Sequence, residues 1–395
     1  MSTGASTRTP WPVAALTLFT ASTFLSVTTE MLPTGLLSSM SRDLHSSEAR
    51  VGILVTGYAL MVALFAAPLG RATARVRRRT LFIGALAGYA ASNVLMAAAT
   101  VYPVAAAARL MGGLTHGLFW AMLAGYIARM VDPARLGRAM TVVFTGGTMA
   151  ILLGVPAGTA LGVAIGWRSA FVVLAGVSLL LVLIGWRILP DLPGADTADD
   201  LSLLQVLRTP AVTVVVLTTA VTMLGFFSFF TYISPFLQHA GLSEAAVSPT
   251  LLGYGLAGAV GLFLAGLLID KRPRVGMLGG ITLLTGALGL LAVGHRSPAV
   301  AVVGACLAGM ALNSLAIGVQ AATLRAAPPG ATDTASALNA SAFNLGIGGG
   351  ALAGGAVLTT SGVGALPLVA AVLTGIGLLG VAYGRRNGFP ATVPL

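Results

Sequence analysis

The chain has 395 residues, of which 56% are hydrophobic and only 8% charged, and its mean hydropathy is +0.94. Those values exclude a soluble globular domain, and a single cysteine, Cys306, excludes a disulfide framework or a cysteine-based metal site. The formal charge of +11 lies in clusters beside hydrophobic runs, without interleaved aromatics, so it reads as membrane topology and lipid contact rather than nucleic-acid binding.

Runs of about 20 apolar residues recur from end to end, the length that crosses a ~30 Å hydrocarbon core. Backbone groups in lipid must be satisfied internally, so these runs are helices, and the alternation of a membrane barrel is absent. In chain order the spans are expected at 12–37, 50–70, 79–99, 103–128, 137–162, 167–189, 210–237, 246–269, 275–294, 298–324, 334–360 and 364–384. The first is too long for a signal-peptide core and lacks a cleavage site, so it is kept as a spanning helix.

The expected fold is all-α, a polytopic membrane protein whose 12 transmembrane helices form two six-helix pseudo-repeat bundles. Residues 1–189 make the N-terminal bundle, 190–209 a cytoplasmic linker rich in Asp, Pro and Gly, and 210–395 the C-terminal bundle. Seventeen basic residues fall on the side of the termini and four on the other, which places both termini in the cytoplasm by the positive-inside rule. The skew of Arg over Lys and the richness in Ala and Gly suggest a bacterial gene, hence the bacterial plasma membrane.

Two charges stand inside apolar runs, Glu30 in helix 1 and Arg109 in helix 4. A charge at the centre of a spanning helix costs roughly 2.5–3.5 kcal/mol on insertion scales, so it is rarely there without a partner or a task. Counted from the helix ends, the two reach similar depth in the outer half of the membrane. Polar stripes run along both helices, Thr23, Ser26, Glu30 and Thr34 on one and Arg109, Gly113, His116 and Trp120 on the other.

Helix 7 carries Phe226, Phe227, Phe229, Phe230, Tyr232 and Phe236, of which Phe226, Phe230 and Tyr232 are expected at a substrate site, lining an apolar pocket. Tyr58, Asn93, Tyr254, Asn313, Gln320, Asn339 and Asn344 are uncharged polar residues inside spans; interhelical hydrogen bonding accounts for most, and Asn313 and Asn344 are the candidates for the cavity. Gly253-Tyr-Gly255-Leu-Ala-Gly258 fits a dinucleotide fingerprint but has no preceding strand, and Asn339-Ala-Ser341 fits a glycosylation acceptor but lies in a span. There is no phosphate-binding loop and no catalytic or metal constellation, so an enzyme, a cofactor and a metal are not expected.

Gly70-Arg-Ala-Thr-Ala74-Arg75-Val-Arg-Arg-Arg79 between helices 2 and 3 is echoed by Gly266-Leu-Leu-Ile-Asp270-Lys271-Arg-Pro-Arg274 between helices 8 and 9, 196 positions on. Both resemble the signature loop of the major facilitator superfamily, with alanine at position 74 where the pattern has an acid. The run from Arg109 to Gly117 resembles the helix-4 arginine motif. Gly154-Val-Pro156-Ala-Gly158 resembles the helix-5 motif of drug/proton antiporters, and Thr29-Glu30-Met-Leu-Pro33-Thr-Gly35 resembles the branch of chloramphenicol-resistance and sugar-efflux proteins.

The resemblance implies alternating access with helices 1 and 4 side by side at a cavity. It implies a proton-coupled efflux antiporter working as a monomer, whose partners are protons, the bilayer and a small neutral or lipophilic compound. A chloramphenicol-like drug is the first expectation, a sugar the alternative. Glu30, Arg109 and His116 are the expected proton-coupling residues, and Thr34 and Trp120 join the helix 7, Asn313 and Asn344 candidates at the substrate. Gly70, Arg75, Arg79, Gly154, Pro156, Gly158, Gly266, Asp270 and Lys271 are expected to act in gating and close packing. A static ion pair between Glu30 and Arg109 is the structural alternative to coupling.

Overall fold

A computed structural model describes residues 12–132, 135–194, 203–269, 272–329, 331–384 and 388–389. Among them twelve helices are long and apolar enough to cross a membrane. They are α1 (Val13–Asp43), α2 (Glu48–Ala72), α3 (Arg78–Ala97), α4 (Tyr102–Ala128), α5 (Leu136–Met149, then Ala150–Gly154 and Val155–Ile165) and α6 (Trp167–Ile188). The second set is α7 (Pro210–Phe230), α8 (Glu244–Ile269), α9 (Pro273–Val293), α10 (Pro298–Ala326), α11 (Thr332–Ser361) and α12 (Leu366–Tyr383). Two short helices, Leu203–Leu207 and Ile233–His239, flank α7.

Helix ends follow local chemistry. Ser47 starts α2 by accepting a bond from the Arg50 N–H, proline opens α7, α9 and α10, and Gly166 at φ 93° turns the chain from α5 into α6. The α1 helix runs six residues beyond the expected end at 37, because Ser38, Ser39 and Ser41 bond to backbone or to Glu48 instead of ending it. Midway along α5 the winding loosens over Ala150–Gly154. Pro156 lies two residues past Gly154 and has no N–H to offer the Leu152 carbonyl, which suits a wide turn at that point.

The two sets form two bundles with matching contacts. Gly113 of α4 lies against the Tyr58 carbonyl of α2, and Gly309 of α10 lies against the Tyr254 carbonyl of α8, each residue displaced by 196 positions. Gly154 and Gly158 of α5 meet Thr28 and Leu32 of α1. At the same offset, Gly350 and Gly354 of α11 meet Leu224 and Ser228 of α7. Small residues let these backbones approach in a setting where packing, not water exclusion, drives helix association.

Between bundles, α2 packs on α11 and α5 on α8. Three bonds that cross among the described residues are Thr56 Oγ1 to the Gly348 carbonyl at 2.9 Å, Ser248 Oγ to the Pro156 carbonyl at 2.8 Å, and Arg42 to both Glu244 oxygens at 2.8 and 2.7 Å. All three lie away from the end that carries the start of α1, so the bundles meet toward what is here termed the far face.

Candidate functional site

Helix α1 contains Pro33, and a proline inside a helix leaves the carbonyl four residues earlier without its donor. That carbonyl belongs to Thr29. Arg109 of α4 fills the gap: one guanidinium nitrogen donates to the Thr29 carbonyl at 2.8 Å and the other to the Glu30 carbonyl at 2.9 Å. The guanidinium carbon lies 4.0 Å from the centre of the Tyr58 ring, a cation–π contact. Arg109 is therefore bound to the main chain of helix α1 beside Glu30, and no side-chain ion pair joins the two. The static Glu30–Arg109 ion pair is replaced by this clamp, because the proline-freed carbonyl competes for the same fork of donors.

The Glu30 carboxylate faces His116 instead, with Oε2 3.6 Å from Nε2. The other imidazole nitrogen, Nδ1, lies 3.0 Å from the Tyr58 hydroxyl and 3.1 Å from Ser26 Oγ, and Ser26 is 2.5 Å from the Tyr89 hydroxyl. Asn93 donates to Thr29 Oγ1 at 3.3 Å. Every one of these side chains is buried. Burial without partners would be costly, and the hydroxyls of Ser26, Tyr58 and Tyr89 supply partners to the imidazole and to one another. An imidazole placed this way can hold one proton on either nitrogen: toward Glu30, or toward the hydroxyl pair.

Applying the 196-residue offset, Glu30 corresponds to Phe226, Arg109 to Ala305, His116 to Leu312 and Tyr58 to Tyr254. The second bundle thus carries an apolar image of the charged site. Phe226 stacks on Phe230 with centroids 5.0 Å apart, and Phe230 packs at 5.0 Å on Tyr254. Phe226 and Phe230 are buried in this stack, and Tyr232 is buried with its hydroxyl bonded to the Ala351 carbonyl at 2.7 Å. Phe226, Phe230 and Tyr232, the aromatics expected at a substrate site, are thus all buried here, and of the three Phe226 alone stands at the image of a charge.

A cavity of about 240 Å³ opens between α7, α10 and α11, lined by the carboxamides of Gln320, Asn339 and Asn344 and by Met223, Val319 and Phe343. Asn344 donates to the Ala340 carbonyl at 3.0 Å, while its Oδ1 is buried without a partner. Asn339 meets Thr219 Oγ1 at 2.8 Å, and that hydroxyl also reaches the Val215 carbonyl at 2.9 Å. The Thr219 hydroxyl faces Asn339 Oδ1 and the Val215 carbonyl, and its one proton serves one of the two acceptors at a time. Gln320 and Asn339 stand out here only as polar residues in spans; their convergence depends on which faces of α10 and α11 meet.

The remaining expected residues are dispersed. Thr34 is buried and bonds to the Met31 carbonyl at 2.7 Å. Trp120 stacks on Phe144 with centroids 5.6 Å apart and touches His116. Asn313 is half-buried, bonds to the Gly309 carbonyl and lies against Gly258, outside the cavity lining. Gly70 packs on Ala121, Arg75 sits in the turn after α2, and Arg79 lies over Trp186. Gly266 falls within α8, while Asp270 and Lys271 lie outside the described residues.

The family profile of the Major Facilitator Superfamily matches residues 19–294 and 215–393. The chain belongs to this superfamily. A probable sugar efflux transporter of Helicobacter pylori is 32% identical over 258 residues, 65% of this chain and 66% of that protein, so the match spans just under two thirds of that relative. A chloramphenicol efflux pump of Mycobacterium tuberculosis is 33% identical over 308 residues, 75% of this chain and 74% of the pump.

Among solved structures, a bacterial homolog of the human lysosomal transporter Spinster, in an inward-facing and occupied conformation, superposes with a TM-score of 0.76. It covers 98% of this chain and 99% of its own at 15% identity. A human organic anion transporter superposes with a TM-score of 0.69 at 19% identity, over 94% of this chain and 100% of its own. At such identities the likeness carries the fold alone. These relatives and neighbours are transporters, not enzymes.

Proposed function

We propose that this chain is a proton-coupled efflux antiporter of the bacterial plasma membrane, with both termini cytoplasmic, exporting a small neutral compound by alternating access as a monomer. The observation that carries this reading is Glu30, the one acid deep inside a span, held against His116 while Arg109 is engaged by the main chain. A carboxyl in that setting can take up or release a proton without an ion-pair partner to lose. Protonation changes its contact with His116, and through Arg109 the same residue is tied to the backbone of α1. That joins a protonation event to the position of a helix packed on α5 and meeting α8, at the seam of the two bundles.

A chloramphenicol-like compound remains the first expectation, supported by the pump from M. tuberculosis. The cavity favours a compound with several hydrogen-bonding groups on an apolar body, because three carboxamides and no charged group line it. That same lining supports a sugar as the second reading, alongside the Helicobacter relatives. The deciding experiment uses vesicles containing the purified protein and an internal pH dye. Chloramphenicol or arabinose should drive proton movement in the wild type, and Glu30→Gln should abolish it while the protein stays folded. Unaltered coupling in that variant would sink the assignment, and the compound that elicits the signal separates the two substrate readings.

A further inference from the structure

The α2–α3 turn and the helix ends beside it carry Arg71, Arg75, Arg77, Arg78 and Arg79, with Ala74 where the repeat has Asp270. No acid within the turn answers those charges, yet the structure brings one in from elsewhere in the chain. Asp191, just past the end of α6, pairs with Arg77 and lies 3.7 Å from Arg79. Its neighbours are tied down one after another. The Tyr126 hydroxyl donates to the Pro190 carbonyl at 2.7 Å and the Arg78 N–H to the Leu192 carbonyl at 2.9 Å. Arg129 donates to the carbonyls of Pro193 at 2.6 Å and Gly194 at 3.0 Å.

Pro190 and Pro193 have no N–H, so this stretch is rich in acceptors and takes its donors from α4 and the basic turn. Gly194 rests on the main-chain carbonyls of Ala74 and Arg75, where a Cβ would collide. On the other side of the linker, the helix Leu203–Leu207 buries Val206 among Val212, Ala331 and Ala335 of the second bundle.

We propose that Asp191 supplies in space the acid absent at position 74, and that residues 190–194 form a strap fastening the α2–α3 turn, the end of α4 and the end of α6 into one plate. Loosening the strap unshields the basic turn and frees the end of α6 from that plate, so a push from the first bundle is transmitted less directly to the second. The inference stands apart from the identity of the substrate or the coupling ion.

Limited trypsin digestion of the full-length protein in detergent tests it without any transport. In Asp191→Asn, cleavage at Arg75 to Arg79 should quicken about fivefold, the shift expected of two partly exposed ion pairs. Gly194→Val should do the same with no change of charge, by collision. Asp191→Glu should keep the slow wild-type rate, and Arg77→Asp combined with Asp191→Arg should recover much of it. In vesicles, Asp191→Asn should lower the maximal rate with KM within twofold, since the substrate site is untouched. Thermal unfolding and size-exclusion profiles identify a variant that has merely misfolded. Wild-type digestion in both Asp191→Asn and Gly194→Val overturns the strap; release by Gly194→Val alone overturns the role of Asp191.

Discussion

Arg109 and Pro33 explain each other. A proline in a spanning helix leaves a carbonyl facing hydrocarbon, where no water can satisfy it, and the side chain that arrives is a guanidinium with donors to spare. Removing it in Arg109→Ala should cost about 2–4 kcal/mol, because charge-assisted bonds are lost and a buried carbonyl is orphaned. Restoring the missing N–H with Pro33→Ala should shrink that cost, since the helix then serves Thr29 itself. A double-mutant cycle in thermal unfolding should show coupling of about 1 kcal/mol or more. Additive losses would mean that Arg109 is not answering the proline. Arg109→Lys should recover only part of the stability, as an ammonium cannot fork across two carbonyls. Glu30 and Arg109 were visible in the sequence as charges out of place, and Pro33 four residues past Thr29 was the available sign of where the arginine goes. The pairing of Glu30 with His116 carried no such sign, because it depends on rotamers and on which stripe of α4 faces α1.

Helices were legible where their causes are local. Twenty-residue apolar runs, proline starts and the glycine between α5 and α6 fix the spans, and the repeat offset read from two loops recurs in the glycine contacts of α4, α5, α10 and α11. Less legible was the consequence of each glycine, which depends on what it touches. Gly146 lies against the Thr20 main chain, whereas Gly158 meets only the flexible end of Leu32. Gly146→Ala should therefore destabilise by about 1–3 kcal/mol, and Gly158→Ala by less than about 1 kcal/mol, although both belong to the same glycine-rich run. Thermal unfolding of the two variants checks this, and equal losses would show that helix propensity, not the neighbour, sets the cost. The aromatic run of α7 taught the opposite lesson. Its spacing suited a binding face, but only the repeat offset shows that Phe226 occupies the image of Glu30 and Phe230 that of Thr34.

At the scale of the whole molecule, the bundles meet toward the far face, and a crowded point of that closure lies at Gly52. Gly52 of α2 lies against the Tyr232 hydroxyl, which is itself fixed by its bond to Ala351 and flanked by Gly355. A side chain at position 52 cannot fit while Tyr232 stays there. In Gly52→Val the bundles should be held apart at the far face, and a protein that must alternate should stop transporting. A cysteine placed at the buried Leu37, with Cys306 replaced by serine, reports this directly. Its reaction with a membrane-impermeant maleimide added at the far face should quicken tenfold or more, a shift of about 1.4 kcal/mol in the opening equilibrium. Adding Tyr232→Ala removes the obstacle and should return labelling toward the parent rate. Arg42→Glu is the control for electrostatics. Its bond to Glu244 is bidentate but exposed, with Arg42 58% and Glu244 31% accessible, so the same labelling should rise about threefold at most. If Arg42→Glu opens the far face more than Gly52→Val does, closure rests on charge rather than on the fit of a glycine against a fixed tyrosine.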